Sequence, residues 1–280
     1  MFFFQVIPLN KFSLDYDDKK PLGNTSEYLP AIGVGTWGIR NNSSAIEALT
    51  YAVELGLNMI DTAEMYQSGK AEEIVGLVVK RVGRDRVFIV TKLFPERFSD
   101  DKVAIKAAEA SLKRLGIRYA DLILIHWPAS GIPIGTQIKS LEALMERGLT
   151  RYIGVSNFEG KTLREALESV KKHEIVADQV KYSVLDKRVE DDTLPICIEN
   201  KITVQAYTPL EKGNVLRNKI ILDVAKKYRK TGIQVALNYI ISRPMVTAIP
   251  KSERKERIDE FSGSLGWRLS QEDIKTLEAL

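Results

Sequence analysis

Cysteine and histidine are scarce in this sequence of 280 residues. The one cysteine, Cys197, has no partner for an intramolecular disulfide, and the two histidines, His126 and His173, are too few to complete a Cys/His metal cage. This composition excludes a disulfide-stapled protein and predicts that there is no metal site. The same cysteine usage predicts a cytoplasmic location.

Long hydrophobic runs and runs of like charge are missing as well. No apolar stretch reaches the ~18 residues of a membrane helix. Lys and Arg number 41 against 37 Asp and Glu, and they are dispersed along the chain. We therefore expect neither a membrane nor a nucleic acid as partner. The apolar residues 1–9 lack a basic leader and contain Gln5 and Pro8, so we interpret them as a strand rather than a signal sequence.

Short β-branched runs recur eight times along the chain, and each is followed by a helical pattern. Eight such βα units predict an α/β fold in which the strands close into a parallel (β/α)8 TIM barrel, with residues 1–280 forming a single domain. The interval before the eighth run is the longest, so it must hold a longer connection. The runs are residues 31–34, 57–60, 87–90, 121–125, 152–155, 177–180, 202–205 and 246–249.

The first 27 residues lie outside this repeat. Their alternation and the turn-forming sequence PLGN at residues 21–24 predict an N-terminal β-hairpin, residues 1–27, that caps the N-terminal end of the barrel. Within the repeat, Ser43 or Ser44 is expected to cap the first helix and Gly56 to end it, while Gly116 is expected to end the helix over 103–115.

A glycine-rich segment, GVGTWG at residues 33–38, matches the fingerprint of a dinucleotide-binding turn and follows a predicted strand. In a Rossmann fold that turn opens a helix whose amides face the pyrophosphate. Here the expected helix cap comes about five residues after the glycines. We therefore favour a tight turn at a strand end, with a Rossmann domain as the alternative.

Four polar residues stand where three consecutive predicted strands end. Asp61 ends the second strand and Tyr66 follows five residues later, Lys92 ends the third strand, and His126 ends the fourth. Because active sites of parallel barrels form at the carboxyl ends of the strands, we expect these side chains to meet at one mouth. Taken singly, each also has a structural interpretation: Asp61 as a cap, Tyr66 in packing, and Lys92 as a solvated loop residue.

Together these side chains suit the protonation of a developing alkoxide. A nearby ammonium favours a phenolate, so Lys92 is expected to lower the pKa of Tyr66 and to make it a usable general acid. Asp61 would hold Lys92 charged and in place, and a neutral His126 would orient the substrate carbonyl. None of these groups is an electron source, so a hydride donor must come from a cofactor.

Seven motifs give the chain a specific resemblance to the aldo-keto reductase family, in order and at similar spacing over residues 30–280. The resemblance implies a (β/α)8 barrel that reduces aldehydes and ketones to alcohols with NADPH, NADH being a possible substitute. It places the family's catalytic tetrad on Asp61, Tyr66, Lys92 and His126, with Tyr66 as the general acid. The motifs are GVGTW at 33–37, DTAEMY at 61–66, TK at 91–92, HWP at 126–128, GVSNF at 154–158, YTPL at 207–210 and IPKS at 249–252.

The resemblance also assigns the residues that bind the nicotinamide. Ser156, Asn157 and Gln179 would hold its carboxamide and Tyr207 would stack on its ring, and amide groups with an aromatic face suit such a ligand. Without the family match, these residues are equally well explained as turn, strand-end and core residues. Thr36 and Trp37, in the first motif, complete this expected group.

The segment after the eighth strand is expected to bind the 2′-phosphate of NADPH. Lys251 and Arg257 would pair with the phosphate, Arg254 could replace or assist either, and Ser252 would cap a helix whose N-terminal amides favour an anion. A solvated basic helix face is the structural alternative. The chain departs from the family pattern at Phe261, where Asn is common.

A second departure is Asp178, which stands where Asn is usual. Both departures put the affinity for the cofactor and its preference for NADPH in question. Trp37, Phe94 and Trp127 are expected to line the substrate site with aromatic surface, although the two tryptophans can also be explained as rim packing. The sequence ends with the predicted helix 270–280, without the long C-terminal substrate loop that some family members carry, so an open and permissive site is expected.

A rival hypothesis is a non-catalytic barrel that binds nicotinamide nucleotide as a sensor or accessory subunit, as channel-associated members of the family are thought to do. The intact tetrad argues against that as the only role. We expect a monomer whose partner is a small aldehyde or ketone; the physiological substrate does not follow from the sequence.

Overall fold

Eight parallel strands alternate with helices around a barrel in the computed structural model, which describes residues 11–280. Backbone hydrogen bonds join the first barrel strand to the last: the amide of Gly33 donates to the carbonyl of Ala248 at 2.9 Å, and that of Gly35 to Pro250 at 2.9 Å. This confirms the predicted (β/α)8 barrel and rejects the Rossmann alternative. The barrel strands are β3 (Val34–Gly35), β4 (Met59–Asp61), β5 (Phe88–Leu93), β6 (Ala120–Ile125), β7 (Thr150–Ser156), β8 (Ile175–Lys181), β9 (Thr203–Tyr207) and β10 (Val246–Ala248).

The central strands are recognisable in the sequence because they are buried on both faces. All six residues of β5 and all six of β6 are buried, one face towards the barrel interior and the other towards the helices. Strands of this kind read as nearly continuous apolar runs. A polar residue within or directly after such a run, such as Lys92 or His126, is therefore conspicuous.

The helices follow the expected order, with one error at a cap. The first helix begins at Asn42 and its N-cap is Asn41, whose Oδ1 accepts a hydrogen bond from the amide of Ser44 at 3.0 Å, so the predicted caps Ser43 and Ser44 are wrong. Gly116, at φ +66°, ends the third helix as predicted. The helices are α1 (Asn42–Glu54), α2 (Lys70–Val82), α3 (Asp101–Leu115), α4 (Ile134–Glu146), α5 (Gly160–Ser169), α6 (Thr193–Glu199), α7 (Lys219–Tyr228), α8 (Gly232–Ile241), α9 (Lys255–Ser262) and α10 (Gln271–Glu278).

The long interval between β9 and β10 contains a 3₁₀ segment, Glu211–Arg217, as well as α7 and α8. This extra material explains why the last sequence interval exceeds the others. Within residues 11–280 no helix is long and apolar enough to cross a membrane.

An antiparallel pair, β1 (Lys19–Pro21) and β2 (Tyr28–Pro30), precedes the barrel and confirms the predicted hairpin. Leu22 and Leu29 are fully buried in a cluster with residues from the interior of the barrel, and the amide of Gly23 donates to Oγ1 of Thr203 at 2.8 Å. The hairpin thus packs on the end where the strands begin. Its second strand ends at residue 30 and not at 27, and the predicted strand over residues 1–9 lies outside the described residues.

Candidate active site

The four residues of the predicted tetrad lie together at the carboxyl ends of the strands. Asp61 is the last residue of β4, Lys92 lies near the end of β5, and His126 follows β6 directly. Tyr66 begins a tight turn after β4 in which Gln67 and Ser68 have φ values of 51° and 53°. Left-handed backbone is costly for these residue types, so the turn is held by its surroundings.

The ammonium of Lys92 is the centre of the group. Its Nζ lies 2.6 Å from Oδ1 of Asp61, 2.8 Å from the carbonyl oxygen of Thr62 and 3.2 Å from the hydroxyl of Tyr66. The ring of His126 packs edge-on against the ring of Tyr66 at a centroid distance of 5.8 Å. The expectation that these four side chains meet at one mouth is met by the geometry.

Burial and the neighbouring charges set the protonation states of Lys92 and His126. Burial alone would lower the pKa of Lys92, but Asp61 and Tyr66 outweigh it, so this pKa is raised and the side chain stays an ammonium. Burial, assisted by the Lys92 charge, lowers the pKa of His126 to about 3. A neutral imidazole was expected and fits this shift.

The prediction that the pKa of Tyr66 is lowered is wrong, because the net shift raises it. Burial raises the pKa of the phenol and is the larger influence, while the nearby Lys92 lowers it and Asp61 raises it again. Tyr66 is therefore fully protonated at neutral pH and has a proton to donate. An ammonium 3.2 Å from the hydroxyl can stabilise a phenolate once the proton has gone, which is distinct from making the phenol acidic in the resting state.

The residues predicted to hold the nicotinamide form a hydrogen-bonded chain beside the tetrad. Oγ of Ser156 donates to the carbonyl of Gln179 at 2.7 Å, and Nδ2 of Asn157 donates to the carbonyl of His126 at 2.9 Å. The hydroxyl of Tyr207 donates to Oδ1 of Asn157 at 2.9 Å. Nε2 of Gln179 donates to Oδ1 of Asp61 at 2.7 Å, which links this chain directly to the tetrad.

Thr36 and Trp37 occupy different environments at the end of β3. Thr36 is fully buried and its hydroxyl donates to the carbonyl of Asp61 at 2.9 Å. Trp37 is 59% exposed at the mouth, and its ring faces Nζ of Lys212 at 5.6 Å. Thr36 therefore supports the floor of the site, while Trp37 presents an exposed aromatic surface at the mouth.

Phe94 and Trp127 form one aromatic wall next to His126. Their rings meet edge to face with centroids 6.1 Å apart, and the Trp127 ring lies 4.7 Å from that of His126. Two of the three residues predicted to contact substrate are thus brought to the same side of the tetrad.

The segment after β10 differs from its expected form. Helix α9 begins at Lys255 with Arg254 at the N-cap position, so Ser252 is not its cap; Oγ of Ser252 instead accepts a hydrogen bond from the amide of Arg254 at 3.1 Å. Lys251 is ion-paired with Glu253, and Arg257 is ion-paired with Glu260. The predicted phosphate-binding cations are present but already have carboxylate partners.

The two departures from the family pattern lie away from the mouth. Phe261 is 1% exposed and belongs to the hydrophobic core. Asp178 is fully buried; side chains alternate along a strand, and its neighbour Gln179 points to Asp61, so Asp178 faces the helices. Burial raises its pKa well above the ordinary value, and the amide of Phe158 offsets only part of this. Asp178 therefore does not line the cofactor groove, and its burial bears on the stability of the fold.

The Asp178→Asn variant should be more stable than the parent at neutral pH. Below about pH 4 the folded and unfolded chains both carry this proton. As the pH rises towards the raised pKa, only the unfolded chain ionises, so the stability of the parent falls. We expect a gain of about 2 kcal/mol near pH 8 that shrinks towards pH 4, measured by chemical denaturation. An equal gain at both pH values would contradict this assignment.

Sequence reasoning missed two carboxylates that organise the mouth. Oε1 of Glu64 accepts a hydrogen bond from the amide of Phe94 at 2.6 Å and lies 3.3 Å from Nε of Arg97. Glu64 therefore anchors the loop that carries the aromatic wall. Glu253 accepts the amides of Arg40 and Asn41 in addition to the Lys251 ammonium. Both are charged residues in loops, and no periodic pattern shows which way such side chains point.

Known proteins resemble this chain over most of its length. The model of the Aldo/keto reductase family matches residues 31–280, which include the whole candidate site. Methylglyoxal reductase YeaE of Escherichia coli (strain K12) is 34% identical over 259 residues, 89% of this chain and 90% of that protein. An NADH-specific methylglyoxal reductase of the same bacterium is 35% identical over 225 residues, 70% of this chain and 68% of that protein. The crystal structure of an aldo-keto reductase from Klebsiella pneumoniae in complex with NADPH has a TM-score of 0.87 and 32% identity, covering 94% of this chain and 95% of that one.

Proposed function

Because this chain belongs to the aldo/keto reductase family, we propose that it reduces aldehydes and ketones to alcohols with NADPH and that Tyr66 is the general acid. The observation that carries the proposal is the position of the Lys92 ammonium between Asp61 and Tyr66, 2.6 Å and 3.2 Å from their oxygens. An ammonium held there stabilises the phenolate that remains after proton donation.

Each residue of the tetrad has a separate task in this proposal. The Tyr66 hydroxyl donates its proton to the carbonyl oxygen of the substrate as negative charge develops there. Lys92 stabilises the phenolate, and Asp61 keeps Lys92 charged and fixed. His126 is neutral across the physiological range and positions the substrate oxygen. Asp61, Lys92 and His126 are buried, and the low-dielectric surroundings strengthen their electrostatic interactions.

The donor set beside the tetrad fits a nicotinamide dinucleotide. Reduced nicotinamide, when bound, supplies hydride to the carbonyl carbon. Ser156, Asn157 and Gln179 would hold its carboxamide, and Tyr207 presents an aromatic face anchored through its hydroxyl. Lys251 and Arg257 would hold the 2′-phosphate of NADPH. NADH is an alternative donor, since one relative is named for its specificity for it.

Small aldehydes, including dicarbonyls such as methylglyoxal, are the substrates we propose to examine first. Both of the Escherichia coli relatives described above are named methylglyoxal reductases. The wall formed by Phe94 and Trp127 adds aromatic surface that suits apolar and aromatic aldehydes, and Trp37 lies exposed at the rim. The proposed substrates therefore range from small dicarbonyls to aromatic aldehydes.

Glu64 positions this wall, so its loss should affect aromatic substrates most. In the Glu64→Ala variant the Phe94 amide loses its acceptor and Arg97 loses its partner. We expect KM for an aromatic aldehyde to rise about fivefold to tenfold with little change in kcat. This is the pattern when a variant loses binding energy equally in the ground state and in the transition state. KM for methylglyoxal should change less. Equal effects on both substrates, or a loss confined to kcat, would contradict the assignment.

The proposal is tested by mixing the purified chain with NADPH and either methylglyoxal or an aromatic aldehyde. The absorbance of the reduced nicotinamide should fall only when the carbonyl compound is present. Cofactor binding without turnover across a broad carbonyl panel would instead favour the sensor or accessory role.

We also propose that the chain acts as a cytoplasmic monomer of one domain, without a nucleic-acid or membrane partner. The dispersed charge argues against a nucleic-acid partner. The packing of Leu22 and Leu29 against the interior of the barrel supports a single domain that includes the hairpin.

A further inference from the structure

Glu253 holds together the two loops that border the expected phosphate site. Its carboxylate accepts hydrogen bonds from the amides of Arg40 at 3.1 Å and Asn41 at 2.7 Å, at the start of α1. It also pairs with the ammonium of Lys251, which in turn donates to the carbonyl of Gly38 at 3.0 Å. The side chain is 14% exposed, and three donors bond to its carboxylate.

This carboxylate is ionised under all ordinary conditions. Burial alone would raise the pKa of Glu253, but Lys251 and the two amides outweigh it, so the pKa is lowered. A permanent negative charge therefore lies in contact with the cation predicted to receive a phosphate. Lys251 enters any complex already neutralised.

The surrounding residues do not supply a net positive charge that would offset the carboxylate of Glu253. Residues 251–260 contain four cations and four carboxylates, so this segment has no net charge. Arg257, the other predicted phosphate ligand, is paired with Glu260. An open pocket beside this pair is lined by the same mixture of signs. The 2′-phosphate of NADPH therefore gains little binding affinity from long-range electrostatic attraction. The uncharged 2′-hydroxyl of NADH does not depend on that attraction, so its binding is not weakened.

We propose that Glu253 is a specificity-determining residue that limits the preference for NADPH and so keeps NADH usable. The inference rests on the proposed function, because it concerns the cofactor of that reaction. Carboxylates that accept ribose hydroxyls and cations that pair with a 2′-phosphate are the two general means by which proteins distinguish these cofactors. This chain places one of each in direct contact.

The test is direct binding of NADPH and NADH, followed by quenching of tryptophan fluorescence, to the parent chain and to the Glu253→Gln variant. Glutamine keeps one of the two oxygens and can accept a hydrogen bond from one of the two amides, of Arg40 or of Asn41, so part of the link between the loops remains while the charge is removed. We expect the parent to bind the two cofactors within about tenfold of each other, and the variant to bind NADPH about tenfold more tightly with little change for NADH.

Glu256→Gln is the matched control, because it removes an equal charge from an exposed site in the first turn of α9, the helix that follows Glu253. It should change the ratio of the two Kd values by less than about twofold. Lys251→Met, made alone and combined with Glu253→Gln, completes a cycle. The loss of NADPH affinity on removing Lys251 should be larger when Glu253 is absent, because the lysine is then unpaired.

Two outcomes would overturn the proposal. One is an unchanged ratio of NADPH to NADH affinity in Glu253→Gln, and the other is an equal shift in the Glu256→Gln control, which would indicate a general charge effect. Failure of the parent chain to bind either cofactor would count against the proposed function itself. The two failures are therefore distinguishable.

Discussion

Replacing Tyr66 by Phe should lower kcat for carbonyl reduction by about 10³-fold, within the range ascribed to a positioned general acid. The variant keeps the aromatic ring that packs against His126 and loses only the hydroxyl that lies 3.2 Å from Lys92. Binding of NADPH, measured by fluorescence, should be nearly unchanged because the hydroxyl contacts no residue assigned to the cofactor. The deficit should therefore appear in kcat rather than in cofactor affinity.

Tyr28→Phe provides the control for the loss of a tyrosine hydroxyl. Tyr28 is 60% exposed in the hairpin at the opposite end of the barrel, so this variant should retain full activity. If Tyr66→Phe also retained more than about a tenth of the parent kcat, the assignment of the proton donor would be wrong.

Replacing Lys92 by Met should both lower the activity strongly and destabilise the fold. The lysine is fully buried against Asp61, and its removal leaves that carboxylate unpaired, at a cost of about 3–5 kcal/mol in the free energy of unfolding. The phenolate of Tyr66 would also lose its stabilising charge, so we expect kcat to fall by at least about 10²-fold. Chemical denaturation and steady-state kinetics measure the two effects separately.

The double variant Asp61→Asn with Lys92→Met separates catalysis from folding. It removes both buried charges, and the asparagine that replaces Asp61 keeps an acceptor for Nε2 of Gln179. Much of the lost stability should return, while kcat should stay as low as in Lys92→Met. Recovery of activity along with stability would mean that Lys92 serves the fold alone.

The barrel and its site were predictable because burial leaves a strong record in the sequence. β5 and β6 are buried on both faces, so their apolar runs mark the strands, and Lys92 and His126 stand out where those runs end. The long sequence separation of Asp61, Lys92 and His126 did not hinder the prediction, because the strand ends of a parallel barrel converge whatever lies between them.

Features that depend on the direction of a side chain or on how deeply it is buried were not predictable from the sequence. Asn41 and Ser44 are both good caps, and only the backbone decides between them. The pKa of Tyr66 follows from how deeply the phenol is buried, which outweighs the charge of Lys92. The pairing of Glu253 with Lys251 is local in sequence, but a loop has no period that shows which way its side chains point.

The most direct test of hydride transfer at this site follows an isotope from cofactor to product. The purified chain is supplied with an aldehyde and with NADPH deuterated at both positions of nicotinamide C4, in ordinary water, and the alcohol is analysed by mass spectrometry and NMR. The account predicts one deuterium on the former carbonyl carbon of every product molecule, formed slowly or not at all by Tyr66→Phe. An alcohol without deuterium at that carbon, or equal rates of product formation by the two proteins, would contradict it.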